Sequence, residues 1–306
     1  MPPISTNPQE HGLLPPELER EIFEFAALSQ PVTIPKLMLV AWHVKEWVEP
    51  LLYRTIVFDD PIDGHPTFTI DILLSAIRSK PAFFFHNAVR HINFQTGHHI
   101  SPADSMVIIS VCSGVENIVG YHDPILGQSH LPLKRLSTSL REILNPLESS
   151  PLSPANFALP LFSRLTHLEL RSDFLRASDA DEWTGLATLP QLTHLAFNSY
   201  ITFPVFKRIL DTSSTLQILV LLTPYVPSWE TEGGRDKEDG SLLHDMRFVV
   251  MACGDPHRDW QMGARGGRDH WRRAEEFAAS RQAGLVNQWF IETDESIAQA
   301  LLNSSI

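Results

Sequence analysis

The sequence predicts an α/β fold: an N-terminal group of three short helices, then an irregular strand–helix solenoid, then a helical C-terminal cap. Three observations lead to this prediction. Residues 13–53 carry apolar residues at helical spacing behind proline-containing helix starts. A short apolar phrase typical of a strand then recurs along residues 54–250, with helix-like segments between its copies. Beyond residue 250 the phrase is lost and helical spacing returns, which predicts a cap over residues 251–306.

Composition narrows the class of protein before any motif is considered. The chain has 306 residues, of which 43 % are hydrophobic, so it can bury a sizeable core. A net charge of −12 argues against nucleic acid as a partner and disfavours an anionic membrane surface. The sequence has only two cysteines, no apolar run of about 20 residues and no secretory leader pattern. We therefore expect a protein of the cytoplasm and/or nucleus that does not bind membranes.

The N-terminal helices are predicted from their start signals. After a polar lead-in over residues 1–12, which we expect to be disordered, the run that begins at Leu14 places prolines and acidic residues where a helix starts. A second start follows at Thr33, and apolar residues at i, i+3, i+4 and i+7 from Val44 predict a third helix. Pro50 lies inside that third pattern, and we expect it to end or kink the helix. Three helices of this length are too small to form a stable core alone.

The repeated phrase consists of an apolar residue, two spacers, an apolar residue, one spacer and a further apolar residue. Its copies, some of them weak, begin at Val89, Val115, Leu133, Leu165, Leu192 and Leu216. The last three starts are 27 and 24 residues apart, within the period of leucine-rich repeats. Helix-like segments over 71–80, 101–112 and 202–212 separate the copies. The alternative is an ordinary α/β domain, but the matching runs LTHL at 165–168 and 192–195 favour a repeat array.

Two interruptions and the C-terminal segment complete the organisation. Residues 146–160 contain four prolines, and residues 230–240 are charged and glycine-containing, so both predict surface loops. Residues 269–283 predict an amphipathic helix, and residues 294–302 predict another. The apolar face of the first of these comprises Trp271, Ala274, Phe277 and Ala278.

The N-terminal segment resembles an F-box, and specifically the F-box-like proteins that are numerous in mushroom-forming fungi. The resemblance covers about 40 of the 306 residues, in the runs LPPELEREIF and LMLVAWHVKEWVEPLLYRTIVF. The matching positions are Leu14, Pro15, Glu17, Leu18, Ile22, Phe23, Leu39, Val40, Trp47, Leu52 and Tyr53. The order of a three-helix module followed by degenerate leucine-rich repeats is also similar to that family.

This resemblance implies a substrate-recognition subunit of a cullin-type (SCF) ubiquitin ligase. The helices would bind the Skp-type adaptor of the cullin complex, and the repeats would bind an unknown protein target. The residues implied in adaptor binding are Leu14, Pro15, Leu18, Ile22, Leu39, Val40 and Trp47. The alternative function is a non-catalytic interaction scaffold, with no link to a ubiquitin ligase, in which the same helices close the repeat array.

Strand periodicity predicts a target-binding face. Leu168 and Leu170 should point into the core, and the residues that alternate with them should point outward. The outward set proposed for target binding is His167, Glu169, Arg171, His194 and Asn198. On the next strand the outward positions are Ile218, Val220 and Leu222, an apolar stripe that needs cover. Either a partner covers it, or the C-terminal segment does, with Trp271, Phe277, Trp289 and Phe290.

Motifs for enzymatic chemistry are weak. The histidines at 98, 99, 122 and 130 lack the spacing that places metal ligands on one helical face. Cys112 ends a predicted core helix, where a buried inert thiol is usual. The glycine- and arginine-rich run 263–268 is best explained as a turn before the next helix. We therefore expect no enzymatic activity, no catalytic residues, no cofactor and no metal ion.

Overall fold

The described chain is a mixed α/β structure with a single parallel sheet, as the sequence predicts. In this computed structural model the described residues are 14–58, 61–95, 100–120, 131–139, 157, 160–171, 185–186, 188–198, 203–223, 242–286 and 290–291. The helices are α1 (Pro16–Ser29), α2 (Ile34–Leu37), α3 (Trp42–Leu52), α4 (Ile70–Ser79), α5 (Ala82–Ala88), α6 (Pro102–Val111), α7 (Phe203–Thr212), α8 (Pro256–Ala264) and α9 (His270–Gln282). Short 3-10 helices span Pro31–Thr33 and Pro160–Arg164.

The sheet contains nine described strands in chain order, so each strand pairs with the next one along the sequence. The strands are β1 (Thr55–Val57), β2 (His91–Asn93), β3 (Asn117–Val119), β4 (Arg135–Ser139), β5 (His167–Arg171), β6 (His194–Asn198), β7 (Ile218–Thr223), β8 (Phe248–Ala252) and β9 (Phe290–Ile291). Every pairing is parallel. The phrases that begin at residues 89 to 216 each place a strand two residues after their first apolar position.

The register follows the repeated phrase. Leu168 pairs with Leu195, and Leu195 pairs with Leu219, so equivalent positions of successive copies are neighbours in the sheet. These residues are buried in the main core with the buried side chains of α4 to α7, such as Phe85 and Phe206. Because side chains alternate along a strand, this leaves the residues between them on the opposite face of the sheet. The predicted inward and outward assignment of β5, β6 and β7 is therefore confirmed.

The C-terminal helices cover that opposite face instead of closing the end of the sheet. Trp260 of α8 packs against Val57 of β1 and Val119 of β3, near the N-terminal edge of the sheet. Trp271 of α9 packs against β6, β7 and β8. Strand β8 continues to Ala252, and β9 lies inside the segment predicted to be only a helical cap. The sheet thus continues past residue 250 into the segment for which only helices are predicted.

Local sequence signals explain both C-terminal helices. Asp255 caps α8 by accepting a hydrogen bond from the Arg258 amide (3.0 Å), and Asp269 caps α9 by accepting one from the Arg272 amide (3.0 Å). The last turn of α8 requires glycine, because a Cβ at Gly263 would lie 2.2 Å from Asp269 Oδ2. The glycine-rich run is thus a tight connection that brings the start of α9 against the end of α8.

Other expectations have mixed outcomes. Helices α4, α6 and α7 match the predicted segments to within one residue at each end. Of the two effects predicted for Pro50, it does not end its helix, because α3 runs through Pro50 to Leu52. The expectations for residues 1–12, for the loop 230–240, for most of 146–160 and for a helix at 294–302 fall outside the described residues. No described helix combines the length and apolar character needed to span a membrane.

Candidate functional site

The N-terminal helices carry an exposed apolar surface. They have a small core of their own, in which Ala27, Ile34, Val44 and Val48 are buried. Yet nine of the sixteen exposed large apolar side chains of the described chain lie between Leu14 and Trp42. Leu18, Ile22 and Phe25 are at i, i+4 and i+7 on α1, so they form one stripe along the helix. Exposed apolar surface concentrated in this way is typical of a protein–protein contact.

We use the name N-terminal apolar surface for the exposed residues of this region that the F-box resemblance singles out. They are Leu14, Leu18, Ile22, Leu39 and Val40, with exposed fractions between 47 % and 85 %. Pro15 is also exposed, at the start of α1. Trp47 differs, because it is partly buried against the core of the helices and stacks edge-on to His43. Six of the seven residues implied in adaptor binding are therefore exposed, and Trp47 contributes to local packing.

The predicted target-binding face is not open to solvent. Glu169, Arg171 and His194 are buried, with exposed fractions of 2 %, 6 % and 6 %. His167 and Asn198 are partly buried. The side chains point outward from the main core as predicted, but α8 and α9 lie over that face. The expected exposure of Glu169, Arg171 and His194 is therefore wrong, because strand periodicity alone does not show which helices cover a face of the sheet.

The apolar stripe on β7 is covered by the C-terminal segment. Ile218, Val220 and Leu222 are buried in one cluster with Trp271, and Phe277 packs against the same cluster. This confirms, for Trp271 and Phe277, the second of the two predicted covers. The residues Trp289 and Phe290 were predicted to take part, but their side chains fall outside the described part of the chain.

Buried charges hold the cover in place. Asp259 accepts hydrogen bonds from the His270 ring Nδ1 (2.7 Å), the His270 amide (2.8 Å) and Arg273 Nη2 (2.6 Å). Burial alone would lower the pKa of His270, but the hydrogen bond to Asp259 and the negative charges of Asp259, Glu169 and Asp269 together outweigh it, and the pKa is raised. On the covered face of the sheet, Arg171 Nε donates to Glu169 Oε1 (2.9 Å). The first group of bonds joins α8 to α9, and the second lies within β5, on the face that these helices cover.

Polar contacts of α8 reach the first three strands. Trp260 Nε1 donates to Asn117 Oδ1 on β3 (3.0 Å), and the ring of His257 lies 2.9 Å from Asn93 Nδ2 on β2. The amide of Ile62, in the segment that follows β1, donates to the side chain of Gln261 (3.0 Å). These three contacts position the C-terminal segment against the start of the sheet.

A cavity of about 490 Å³ lies where the N-terminal helices, the first strands and the end of α8 meet. Its apolar lining includes Ile34 and Leu51, and its polar lining includes Arg54, Arg135 and Arg265. Burial lowers the pKa of Arg265 to about 10. His91 also lines the cavity, and its Nδ1 is buried with no hydrogen-bond partner in the described structure. The charged side chains of the described lining are thus all basic.

The environment of His91 predicts a pH-dependent stability. Burial, with smaller contributions from nearby arginines, lowers the pKa of His91 to about 4. The unfolded chain takes up this proton near pH 6.5 and the folded protein does not, so the folded state loses stability as the pH falls from about 6.5 to 4. The expected loss is about 1.4 kcal/mol per pH unit from this residue.

Urea unfolding between pH 7.5 and 4.5 measures this contribution. His91→Asn should reduce the dependence of the unfolding free energy on pH, whatever it does to the stability at neutral pH. His43→Asn is the control, because His43 is half exposed on α3. Identical pH dependence in the wild type and His91→Asn would contradict the prediction.

The two cysteines do not form a reactive site. Cys112 and Cys253 are both buried, and burial raises the pKa of each thiol to about 12. Each thiol is therefore protonated at neutral pH and is a poor nucleophile. The histidines at 98, 99, 122 and 130, considered above as metal ligands, fall outside the described residues.

Comparisons with known proteins give no relative. The chain matches no protein-family profile and no curated protein. The F-box resemblance of residues 14–53 thus stays a prediction from the sequence.

Proposed function

We propose that this protein is an F-box-like substrate-recognition subunit of a cullin-type ubiquitin ligase. The N-terminal apolar surface binds the Skp-type adaptor, and the sheet with its helices, an irregular leucine-rich-repeat-like solenoid, holds a protein target. The protein acts by tethering: it raises the effective concentration of the target near the transferring enzyme and catalyses nothing itself. Such a role belongs to the cytoplasm and/or nucleus.

The observation that carries the proposal is the exposure of the N-terminal apolar surface. Leu39 is 85 % exposed although it belongs to a helical region whose own core is closed by other side chains. Leu18 and Ile22 lie on the side of α1 away from that core, where burial would be expected only in a complex. The same residues are the ones that match the F-box pattern.

The protein target binds outside the face that α8 and α9 cover. The face selected from strand periodicity is occupied by the chain itself. The N-terminal apolar surface is therefore the only interface that we assign to particular residues. The target contact lies elsewhere on the part of the surface that α8 and α9 leave open.

Adaptor binding tests the proposal directly. Leu18→Ala combined with Ile22→Ala should weaken binding to a purified Skp-type adaptor by at least about 100-fold, because burial of each large apolar side chain is worth about 1.5–3 kcal/mol. Leu14→Ala with Pro15→Ala should weaken it in the same sense. Titration calorimetry measures the affinity, and circular dichroism should show unchanged secondary structure.

A matched control uses apolar residues that are equally exposed elsewhere. Ile72 on α4 and Phe83 on α5 are 54 % and 68 % exposed, and they lie outside the F-box resemblance. The double variant Ile72→Ala with Phe83→Ala should bind the adaptor like the wild type. If the wild-type protein does not bind a Skp-type adaptor, the ubiquitin-ligase role is wrong and the interaction scaffold is the better interpretation.

A further inference from the structure

Two Thr–His pairs stand side by side on neighbouring strands beneath α9. They come from the matching runs LTHL, and the sheet register pairs His167 of β5 with His194 of β6. The two imidazole rings are stacked, with centroids 4.2 Å apart and planes 5° from parallel. The edge of the Trp271 ring system faces both of them, at 5.1 and 5.9 Å. The proposed adaptor binding makes no use of this arrangement.

The threonine hydroxyls fix the tautomer of both rings. Thr166 Oγ1 donates its single proton to the Lys134 carbonyl (3.1 Å), and Thr193 Oγ1 donates its proton to the Thr166 carbonyl (3.2 Å). Each Oγ1 also lies 2.8 Å from Nδ1 of the following histidine. We assign the single hydroxyl proton to the carbonyl contact, so Oγ1 accepts at this second contact and Nδ1 carries the hydrogen. In the neutral ring, Nε2 is then an unprotonated lone pair.

Both lone pairs converge with a carboxylate. His167 Nε2 and His194 Nε2 are buried, and neither has a hydrogen-bond partner among the described residues. Glu275, which reaches down from α9, places Oε1 3.0 Å from His194 Nε2. The three ligand atoms all lie within 4.8 Å of one another. In this tautomer all three atoms present unprotonated lone pairs, so they can act together as ligands for one cation.

Arg135, the basic neighbour of both histidines, is paired with Asp269, whose carboxylate lies 3.1 Å away. Its charge is thereby offset and does not exclude a cation from the site.

We propose that His167, His194 and Glu275 form a binding site for a divalent transition-metal ion of the Zn²⁺ class. Two imidazole nitrogens and one carboxylate are a known ligand set for zinc, and a water completes the coordination on the solvent side. Thr166 and Thr193 are positioning residues, since each holds its histidine with Nε2 directed at the ion. Glu275 is half exposed, so it can adjust to the short bonds that zinc requires. The ion would join α9 to β5 and β6.

Metal titration of the full-length, chelator-treated protein tests this proposal. The wild type should bind one Zn²⁺ per chain, and Co²⁺ in its place should give the visible absorption of a tetrahedral site. His167→Asn with His194→Asn should abolish binding. Glu275→Gln should weaken it at least about 10-fold, and Thr193→Val should weaken it about 10- to 100-fold, the range typical of lost outer-shell contacts. Zn²⁺ should also raise the melting temperature of the wild type.

The control is Glu276→Gln, an exposed neighbour on α9 whose carboxylate contacts Arg268 and Arg272. It should leave zinc affinity unchanged. If the histidine variant fails to fold, the zinc affinities of Glu275→Gln and Glu276→Gln still test the site. Both positions are solvent-accessible, so neither substitution should prevent folding. Absence of zinc binding in the wild type, or equal affinity in Glu275→Gln and Glu276→Gln, would overturn the site. Adaptor binding is measured without added metal, so the two proposals can fail separately.

Discussion

Deletion of residues 269–306 is expected to convert the folded protein into an aggregating species that binds hydrophobic dyes. The deletion removes α9 and exposes the buried apolar side chains Ile218, Val220, Leu222, Val249 and Met251. At about 1.5–3 kcal/mol for each large apolar side chain, the loss is comparable with the entire stability of a typical domain, about 5–15 kcal/mol. Dye fluorescence and size-exclusion chromatography measure the outcome.

A point substitution separates the effect of lost packing from the effect of removing the whole C-terminal segment. Trp271→Ala should destabilise the full-length protein by about 3–5 kcal/mol, the usual cost of truncating a large buried aromatic side chain. Leu285→Ala is the control, since Leu285 is 79 % exposed after the end of α9. A truncated protein that stays monomeric, dye-silent and equally stable would show that α9 does not protect the sheet.

Asp259→Ala is expected to cost about 3–5 kcal/mol, because it leaves the charged partners of a buried carboxylate without compensation. His270 and Arg273 both donate to Asp259, and all three side chains are largely buried. Asp211→Ala is the matched control: its carboxylate pairs with Lys207 on the exposed face of α7 and should contribute within about 0.5 kcal/mol. Urea unfolding at constant pH gives both values.

The pH dependence of this effect has a definite sign. The pKa of His270 is raised, so its stabilising contribution is complete below its unfolded pKa near 6.5 and is lost as the pH rises through the folded pKa. The pKa of Asp259 is lowered, so its contribution is complete above about pH 3.9 and is lost as the pH falls through the folded pKa. The difference between wild type and Asp259→Ala should therefore be largest between about pH 4 and 6.5. An equal difference at pH 5 and at pH 10 would contradict the assigned pairing.

The sheet could be predicted because its information is local. The repeated phrase sets the strand positions and places Leu168, Leu195 and Leu219 in register, since a period-2 pattern on a half-buried strand has only one favourable orientation. The same alternation placed Ile218, Val220 and Leu222 on the opposite face. An apolar stripe on that face needs to be covered, and Trp271 and Phe277 of the C-terminal segment do cover it.

The path of that cover could not be predicted. No local pattern predicts that α8 contacts Val57 and Val119, because these residues precede Trp260 by 203 and 141 positions. The buried ion pair of Glu169 and Arg171 could not be predicted for the same reason. Both residue types are usually exposed, and these two are buried only because helices cover that face of the sheet. Without α8, the sequence predicts an open polar face, and such a face is a reasonable candidate for a target-binding surface.

The candidate metal ligands were missed for a related reason. A search for histidines at one-turn spacing finds sites built on a single helix, whereas His167, His194 and Glu275 come from β5, β6 and α9. A signal was present in the sequence, in the Thr–His pair that recurs after 27 residues. In a parallel sheet that follows the chain order, such a recurrence brings the two pairs together.

The long reach of α8 has a consequence for how the chain folds during synthesis. The amide of Ile62 finds its partner on Gln261, 199 residues later, which corresponds to about 10–40 s of translation. During that interval the first strands have been synthesised, but the face that α8 will cover is still exposed. The same holds for β7 and β8 until α9 has been synthesised. Nascent chains of this protein should therefore depend on chaperones until the last helices emerge. Products of premature termination should be degraded or aggregate, so only complete chains accumulate in soluble form.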